Sequence, residues 1–238
     1  MRIICFGDSI TRGISYIRGR LRIQKENYPA LLQGALSGED SVEVINKGVF
    51  NDNSDLLVHR LEDDVVAQRP DYVLIEIGGN DCNFHWDEVA SAKDEEHEPI
   101  VPLDRYLLNL QHMVERMRQE GITPILMNLL PLDPVRYYNH VCQMHGSNVS
   151  HWIGKCGGIE HWHGRYNRAL VQLVDRLNVL TIDVRTAFKR AADLSVLLSD
   201  DGIHPTVEGY RVMAKTVATA FPQLMNSSPL SSPAFGQF

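Results

Sequence analysis

Ser9 lies in the stretch ICFGDSITRG, residues 4–13, where the apolar run Ile3–Phe6 meets Gly7 and Asp8. A serine hydroxyl at its own pKa is a weak nucleophile and needs a base beside it. The stretch DDGIHP, residues 200–205, supplies a candidate: His204 as base, with Asp201 three residues earlier to orient the ring. Pro205 pushes His204 into an extended conformation and keeps it out of the helix that follows. Asp200 is the rival carboxylate; its alternative role is that of a turn or cap residue. Two more blocks offer donors, Asn46-Lys47-Gly48 and Gly78-Gly79-Asn80-Asp81. The N–H of Ser9 at a helix start, the N–H of Gly48 and the side-chain amide of Asn80 could converge on the oxyanion of a tetrahedral intermediate. Together these are the parts of an acyl-transfer site. Singly, each reads as well as a turn, because Gly, Asp and Ser are common turn formers.

Those residues need elements to position them. Apolar, β-rich runs occur at 2–6, 42–46, 72–77, 122–128 and 178–182. Between them, apolar residues recur at helical spacing: Leu103, Leu107, Leu110, Val114 and Met117, a helix that Gly121 stops. Trp162, Tyr166, Leu170, Leu173 and Leu177 form a second stripe, and Val207, Tyr210, Met213, Val217 and Phe221 a third. Strands alternating with helices imply parallel pairing and right-handed crossovers. The unbroken run Tyr72–Ile75 suits a strand covered on both faces. The expected fold is a three-layer α/β/α, flavodoxin-like sandwich with a five-stranded parallel sheet. In such sheets ligands bind beyond the carboxyl ends of the strands, which is where Ser9, Gly48 and Asn80 fall.

Taken in order, GDSI, NKG, GGND and DGIHP resemble the SGNH hydrolases, also called the GDSL lipase/esterase family, over residues 4 to about 220. Each motif is common; four in this order, each at a predicted strand end or turn, are specific. The resemblance implies Ser9, Gly48, Asn80 and His204 as the four signature residues and Asp201 as the helper of the histidine. It implies ester hydrolysis with neither cofactor nor metal. The chain departs from the pattern three residues after Gly48, where the family often has a second glycine and this chain has Asn51. Asparagine tolerates a left-handed backbone better than most residues. Asp8 is expected to bond nearby amides and Asp81 to hold the Asn80 loop. Glu76 is a charge inside a buried-looking strand, either a hydrogen-bonded core polar or part of the site.

Length and charge bound the remainder. The chain has 238 residues, with 23 Lys and Arg against 30 Asp and Glu, a net charge of −7. That balance argues against a nucleic-acid or anionic-membrane partner. No apolar run approaches the length needed to span a bilayer, and no signal peptide opens the chain, so a cytoplasmic location is expected. Four cysteines, Cys5, Cys82, Cys142 and Cys156, fit reduced thiols. Cys142, His145, His151 and Cys156 form C-x2-H-x5-H-x4-C, which matches no ordinary zinc spacing.

One catalytic domain is expected over 1–225, followed by a Ser/Pro-rich, disordered tail over 226–238. Residues 82–102, crowded with acids, read as a solvated loop. Residues 131–160, rich in Tyr, His, Trp and Gly, read as an excursion, either a lid or a packed surface subdomain. Its Tyr138 and Trp152 are the candidate substrate contacts, with Tyr137 and Trp162 as further aromatics. The expected partner is a small acyl ester. The resemblance leaves open a carbohydrate O-acetylester, a lysophospholipid or a thioester, and a protein that keeps the fold but only binds.

Overall fold

The computed structural model describes residues 1–37 and 42–227. Its central sheet is made of β1 (Arg2–Gly7), β4 (Glu43–Gly48), β5 (Tyr72–Glu76), β6 (Thr123–Met127) and β7 (Leu180–Ile182). All neighbours are parallel, in the order β4-β1-β5-β6-β7. This is the doubly wound order, with the sheet reversing direction beside β1, and the expected α/β/α sandwich is what forms. A small antiparallel hairpin, β2 (Ile14–Ile17) with β3 (Arg20–Ile23), stands apart from it.

Alternation along β1 divides the interior. Ile3 and Cys5 face a core built with α2 (Tyr28–Leu36), α9 (Val184–Ala191) and α11 (Val207–Ser227), among Tyr28, Leu32, Phe188, Tyr210 and Met213. Ile4 and Phe6 face the opposite core, built with α3 (Ser54–Asp64), α5 (Leu103–Gln119) and α8 (Ile159–Leu177). The three predicted stripes are the buried faces of α5, α8 and α11. Successive strand residues point to opposite sides, so a continuous apolar run serves two layers at once.

The two irregular stretches are more ordered than the sequence suggests. In 82–102 the acids Asp87, Glu88, Asp94, Glu95, Glu96 and Glu98 are exposed, but Cys82, Phe84, Trp86 and Val89 are buried and Trp86–Ser91 forms α4. In 131–160, Pro134–His145 forms α6 and Val149–Lys155 forms α7. Asp133 caps α6, accepting from the Val135 and Arg136 amides, and Pro134 sits at its first turn. Helices α4, α6 and α7 enclose a third core of Phe84, Trp86, Tyr137, Val141, Val149, Trp152 and Ile153. The excursion is therefore helical and packed on a core of its own. A short helix α10 (Leu194–Leu197) precedes the 199–205 turn. Helix α11 runs to Ser227, and the remainder of the tail expected to be disordered, 228–238, lies outside the described residues. Among the described residues no helix is long and apolar enough to cross a membrane.

Candidate active site

Strand β1 ends at Gly7, Asp8 caps the one-turn helix α1 (Ser9–Arg12), and Ser9 is its first residue. The Asp8 carboxylate accepts from the Ile10 amide at 2.9 Å, as expected of that residue. The Ser9 N–H belongs to the first turn, where no intrahelical acceptor is available. His204 reaches Ser9 from the far end of the chain: its Nε2 lies 2.9 Å from Ser9 Oγ. Its Nδ1 lies 2.5 Å from Asp201 Oδ2, while Asp201 Oδ1 accepts from the backbone amides of Ile203 and His204 at 3.2 and 3.1 Å. Burial pushes the Asp201 carboxyl up, but the hydrogen bond from His204, its charge and the two amides outweigh that and hold it below the ordinary value. Asp200, the rival, is exposed and accepts from the Arg18 amide at 3.3 Å.

The turn that makes this possible needs a glycine. Gly202 has φ +78°, and a Cβ there would lie 2.7 Å from the Asp133 carbonyl and the Tyr137 amide nitrogen. The Asp133 N–H donates to the Gly202 carbonyl at 2.8 Å, tying the Asp201–His204 turn to the start of α6.

Asn80 stands just beyond β5, on the same edge of the sheet. Its Nδ2 donates to the Asp52 carbonyl at 2.8 Å, which fixes the amide and leaves its second N–H. Asp52 is itself held by Arg60 at 2.7 Å. Asp81, fully buried, accepts from the Ser54 amide through both oxygens at 3.0 and 3.1 Å, so it ties the Asn80 loop to the start of α3. Asn51 adopts the left-handed backbone, φ +64°, which lets the loop after β4 turn without the second glycine.

Gly48 is placed otherwise than expected. Its N–H donates to Asn46 Oδ1 at 2.8 Å, so that donor is already committed, and Gly48 does not border the cavity at Ser9. A Cβ on Gly48 would lie 2.2 Å from the Arg12 amide nitrogen. The glycine lets β4 approach α1, and in this structure it serves packing.

Ser9, Asn80 and His204 open onto a cavity of about 80 Å³. Its wall comes from the loop after β6, from Phe84 and Trp86, from Tyr137 of α6, and from Ile153, Ile159 and Trp162. The polar tips of this wall are satisfied internally. Trp86 Nε1 donates to Asn83 Oδ1 at 2.7 Å, Tyr137 Oη donates to the same oxygen at 2.7 Å, and Trp162 Nε1 donates to the Cys82 carbonyl at 2.8 Å. His163 also borders the cavity; burial, then the Arg185 charge, lowers it to about 3, so it is neutral.

The two candidate substrate contacts lie elsewhere. Trp152 is buried in the third core against Phe84 and His97, and Tyr138 packs on the outside of that core. The sequence missed Phe84 and Trp86 because acids surround them; their spacing with Val89 was the available signal. Among the described residues no group of three or more His, Cys, Asp or Glu is arranged to hold a metal ion.

A model of the GDSL-like lipase/acylhydrolase family matches residues 5–212. The chain belongs to that family. It is an ester-hydrolysing enzyme. An uncharacterized lipoprotein, YqeF, of Bacillus subtilis (strain 168) is 27% identical over 220 residues, covering 89% of this chain and 85% of that protein. An acetylxylan esterase of Geobacillus stearothermophilus is 27% identical over 227 residues, covering 90% of each. Among solved structures, the lipase/acylhydrolase of Enterococcus faecalis superposes with a TM-score of 0.69 at 20% identity, covering 94% of this chain and 96% of that one. That likeness concerns the fold. A relative named as a lipoprotein means that membership of this GDSL family does not fix the cellular compartment.

Proposed function

We propose that this GDSL enzyme hydrolyses a carboxylic ester through an acyl-Ser9 intermediate. The observation that carries the reading is the relay from Ser9 Oγ to His204 Nε2, 2.9 Å, and from His204 Nδ1 to Asp201 Oδ2, 2.5 Å, at the mouth of a cavity. Ser9 Oγ attacks the carbonyl carbon as His204 takes the hydroxyl proton. The oxyanion is held by the Ser9 N–H and the free N–H of Asn80. Collapse of the intermediate breaks the ester C–O bond, and the imidazolium gives its proton to the departing alcohol. Water then attacks the acyl-serine with His204 again as base, releasing the acid. Asp201 fixes the ring orientation and balances the imidazolium charge. Gly48 is left out of this assignment because its amide already has an acceptor.

The cavity wall favours an apolar acyl chain. A sugar needs donors and acceptors, and the aromatic tips here are spent on Asn83 Oδ1 and the Cys82 carbonyl. The acyl group stays bound to Ser9 between the two half-reactions, so a carbon-lined chamber suits it better than it suits the departing alcohol. Each methylene buried adds at most about 0.8 kcal/mol, roughly fourfold in kcat/KM, until the chamber is full. The second reading, an O-acetylated sugar, is favoured by the acetylxylan esterase among the relatives.

A p-nitrophenyl ester series from acetyl to octanoyl, run beside acetylated xylo-oligosaccharide, separates the two. The acyl-chain reading expects kcat/KM to climb beyond acetyl; a sharp preference for the acetylated sugar supports the second. No Ser9-dependent hydrolysis of any of them would overturn the acyl-Ser9 reading.

A further inference from the structure

The mechanism above leaves two buried carboxyls without work. Glu76 closes β5 and Asp8 follows β1, and the register pairs Gly7 with Glu76, so both stand at the sheet edge that carries Ser9. Each is 2% exposed, and both border the cavity. Their side chains are in hydrogen-bond contact with each other. Asp8 Oδ1 accepts from the Ile10 amide, whereas Glu76 Oε2 is buried and, among the described residues, receives no hydrogen bond from any N–H or O–H of an amide, hydroxyl or basic group. The nearby guanidinium, Arg60, is spent on Asp52, Asp64 and the Gly7 carbonyl.

Two acceptors facing each other in a buried site, with no cation between them, cannot both be charged. A proton must lie between them. We infer that Glu76 holds that proton at neutral pH and donates it to Asp8, which makes Glu76 a positioning residue for the helix start that carries Ser9. The asymmetry has a cause. The Ile10 amide and the nearby His204 favour the Asp8 anion, and nothing does the same for Glu76. Burial first, then Asp8, pushes Glu76 well above the ordinary carboxyl value, whereas Asp8 is raised to about 6.

The other groups near the pair do not reverse this. Asp52 and Asp81 add negative charge near Asp8 and oppose its ionisation, but less than the Ile10 amide and His204 favour it. Tyr28, Tyr106 and Tyr210, from α2, α5 and α11, stay neutral phenols within reach of the Glu76 charge. With the proton in place, Asp8 is gripped by Glu76 and by the Ile10 amide. The Ser9 N–H keeps its aim, and one negative charge faces the His204 imidazolium when it forms.

The positioning role, though not the proton, rests on the reading of Ser9 as nucleophile. Infrared difference spectra between the wild type and Glu76→Gln, near pH 7.5, test the proton without any substrate. The expected result is a protonated-carboxyl carbonyl band that the variant lacks; its absence from the wild type overturns the inference. Kinetics test the role. Glu76→Gln supplies an N–H donor and should keep most of kcat, while Glu76→Leu should lose about 10- to 100-fold in kcat with KM little moved. Wild-type activity should also fall at alkaline pH, where the shared proton leaves, and Glu76→Gln should lack that limb. Equal damage in both variants overturns the role. Should the leucine variant not fold, the infrared band and the alkaline limb of Glu76→Gln still decide. If the band is present but no variant or wild type cleaves an ester, the proton stands and the reading of Ser9 falls.

Discussion

Asp201 grips His204 twice: Oδ2 lies 2.5 Å from the ring Nδ1, and Oδ1 accepts from the His204 backbone amide at 3.1 Å. The second bond fixes the chain and the first fixes the ring, so the carboxylate sets both where the imidazole stands and which tautomer it adopts. Asp201→Asn keeps the shape and can stabilise the wrong tautomer. The expected loss in kcat is about 10³- to 10⁴-fold with the fold intact. Steady-state kinetics beside circular dichroism check it, and a loss under tenfold would remove Asp201 from the relay.

Asn80 and Gly48 should separate cleanly. Asn80→Ala is expected to lower kcat by about 10²- to 10³-fold with KM little changed, because its free N–H strengthens only as charge develops on the oxyanion. Gly48→Ala forces a Cβ to within 2.2 Å of the Arg12 amide nitrogen and should lower the melting temperature as well as activity. A Gly48→Ala variant with unchanged stability and Asn80-like kinetics would return that glycine to the oxyanion site.

Trp152→Ala is expected to be a stability mutant. The side chain is 5% exposed, and truncating a buried tryptophan typically costs about 3–5 kcal/mol. Ile159→Trp, at the cavity wall, should instead lower the ratio of hexanoyl to acetyl kcat/KM. Urea unfolding and the two-ester ratio are the measurements; a Trp152→Ala variant that changes the ratio at full stability would bring that residue back to the substrate.

The strands and the candidate site blocks were legible because each is a local signal. Ile3–Phe6 and Tyr72–Ile75 are unbroken apolar runs, and Ser9, Asn80 and the Asp201–His204 turn follow directly from strand ends or precede a helix. What escaped depends on packing across the chain. Trp152 looks like a substrate aromatic until Phe84, in the loop just before α4, turns out to be its neighbour. Gly48 looks like a donor until Asn46 is seen to take its N–H. The β2–β3 hairpin is short and carries Arg18, Arg20 and Arg22, which dilute its alternation. The facing of Glu76 and Asp8 follows from strand register, which a single sequence does not state.

Asp81 should make stability depend on pH. Burial raises its carboxyl from 3.8 to about 7, against the pull of the Ser54 hydrogen bonds. A folded value above the unfolded one means the protonated form is favoured in the native state. Its contribution is then fully present below about pH 4 and is lost as pH rises through about 7. Asp81→Asn should therefore melt higher than wild type at pH 8 and lose that advantage near pH 4. Melting curves at the two pH values check the sign, and an advantage that grows toward acid would contradict it.

The central claim is that Ser9 carries the acyl group, and peptide-mapping mass spectrometry tests it most directly. The enzyme is mixed with excess p-nitrophenyl hexanoate, quenched in acid within the first turnover, digested and mapped. The account predicts one acyl adduct, on the peptide containing Ser9, absent from Ser9→Ala, whose kcat falls far below roughly a tenth of the wild-type value. An adduct on another residue, or a folded Ser9→Ala variant that still turns over above that level, would contradict it.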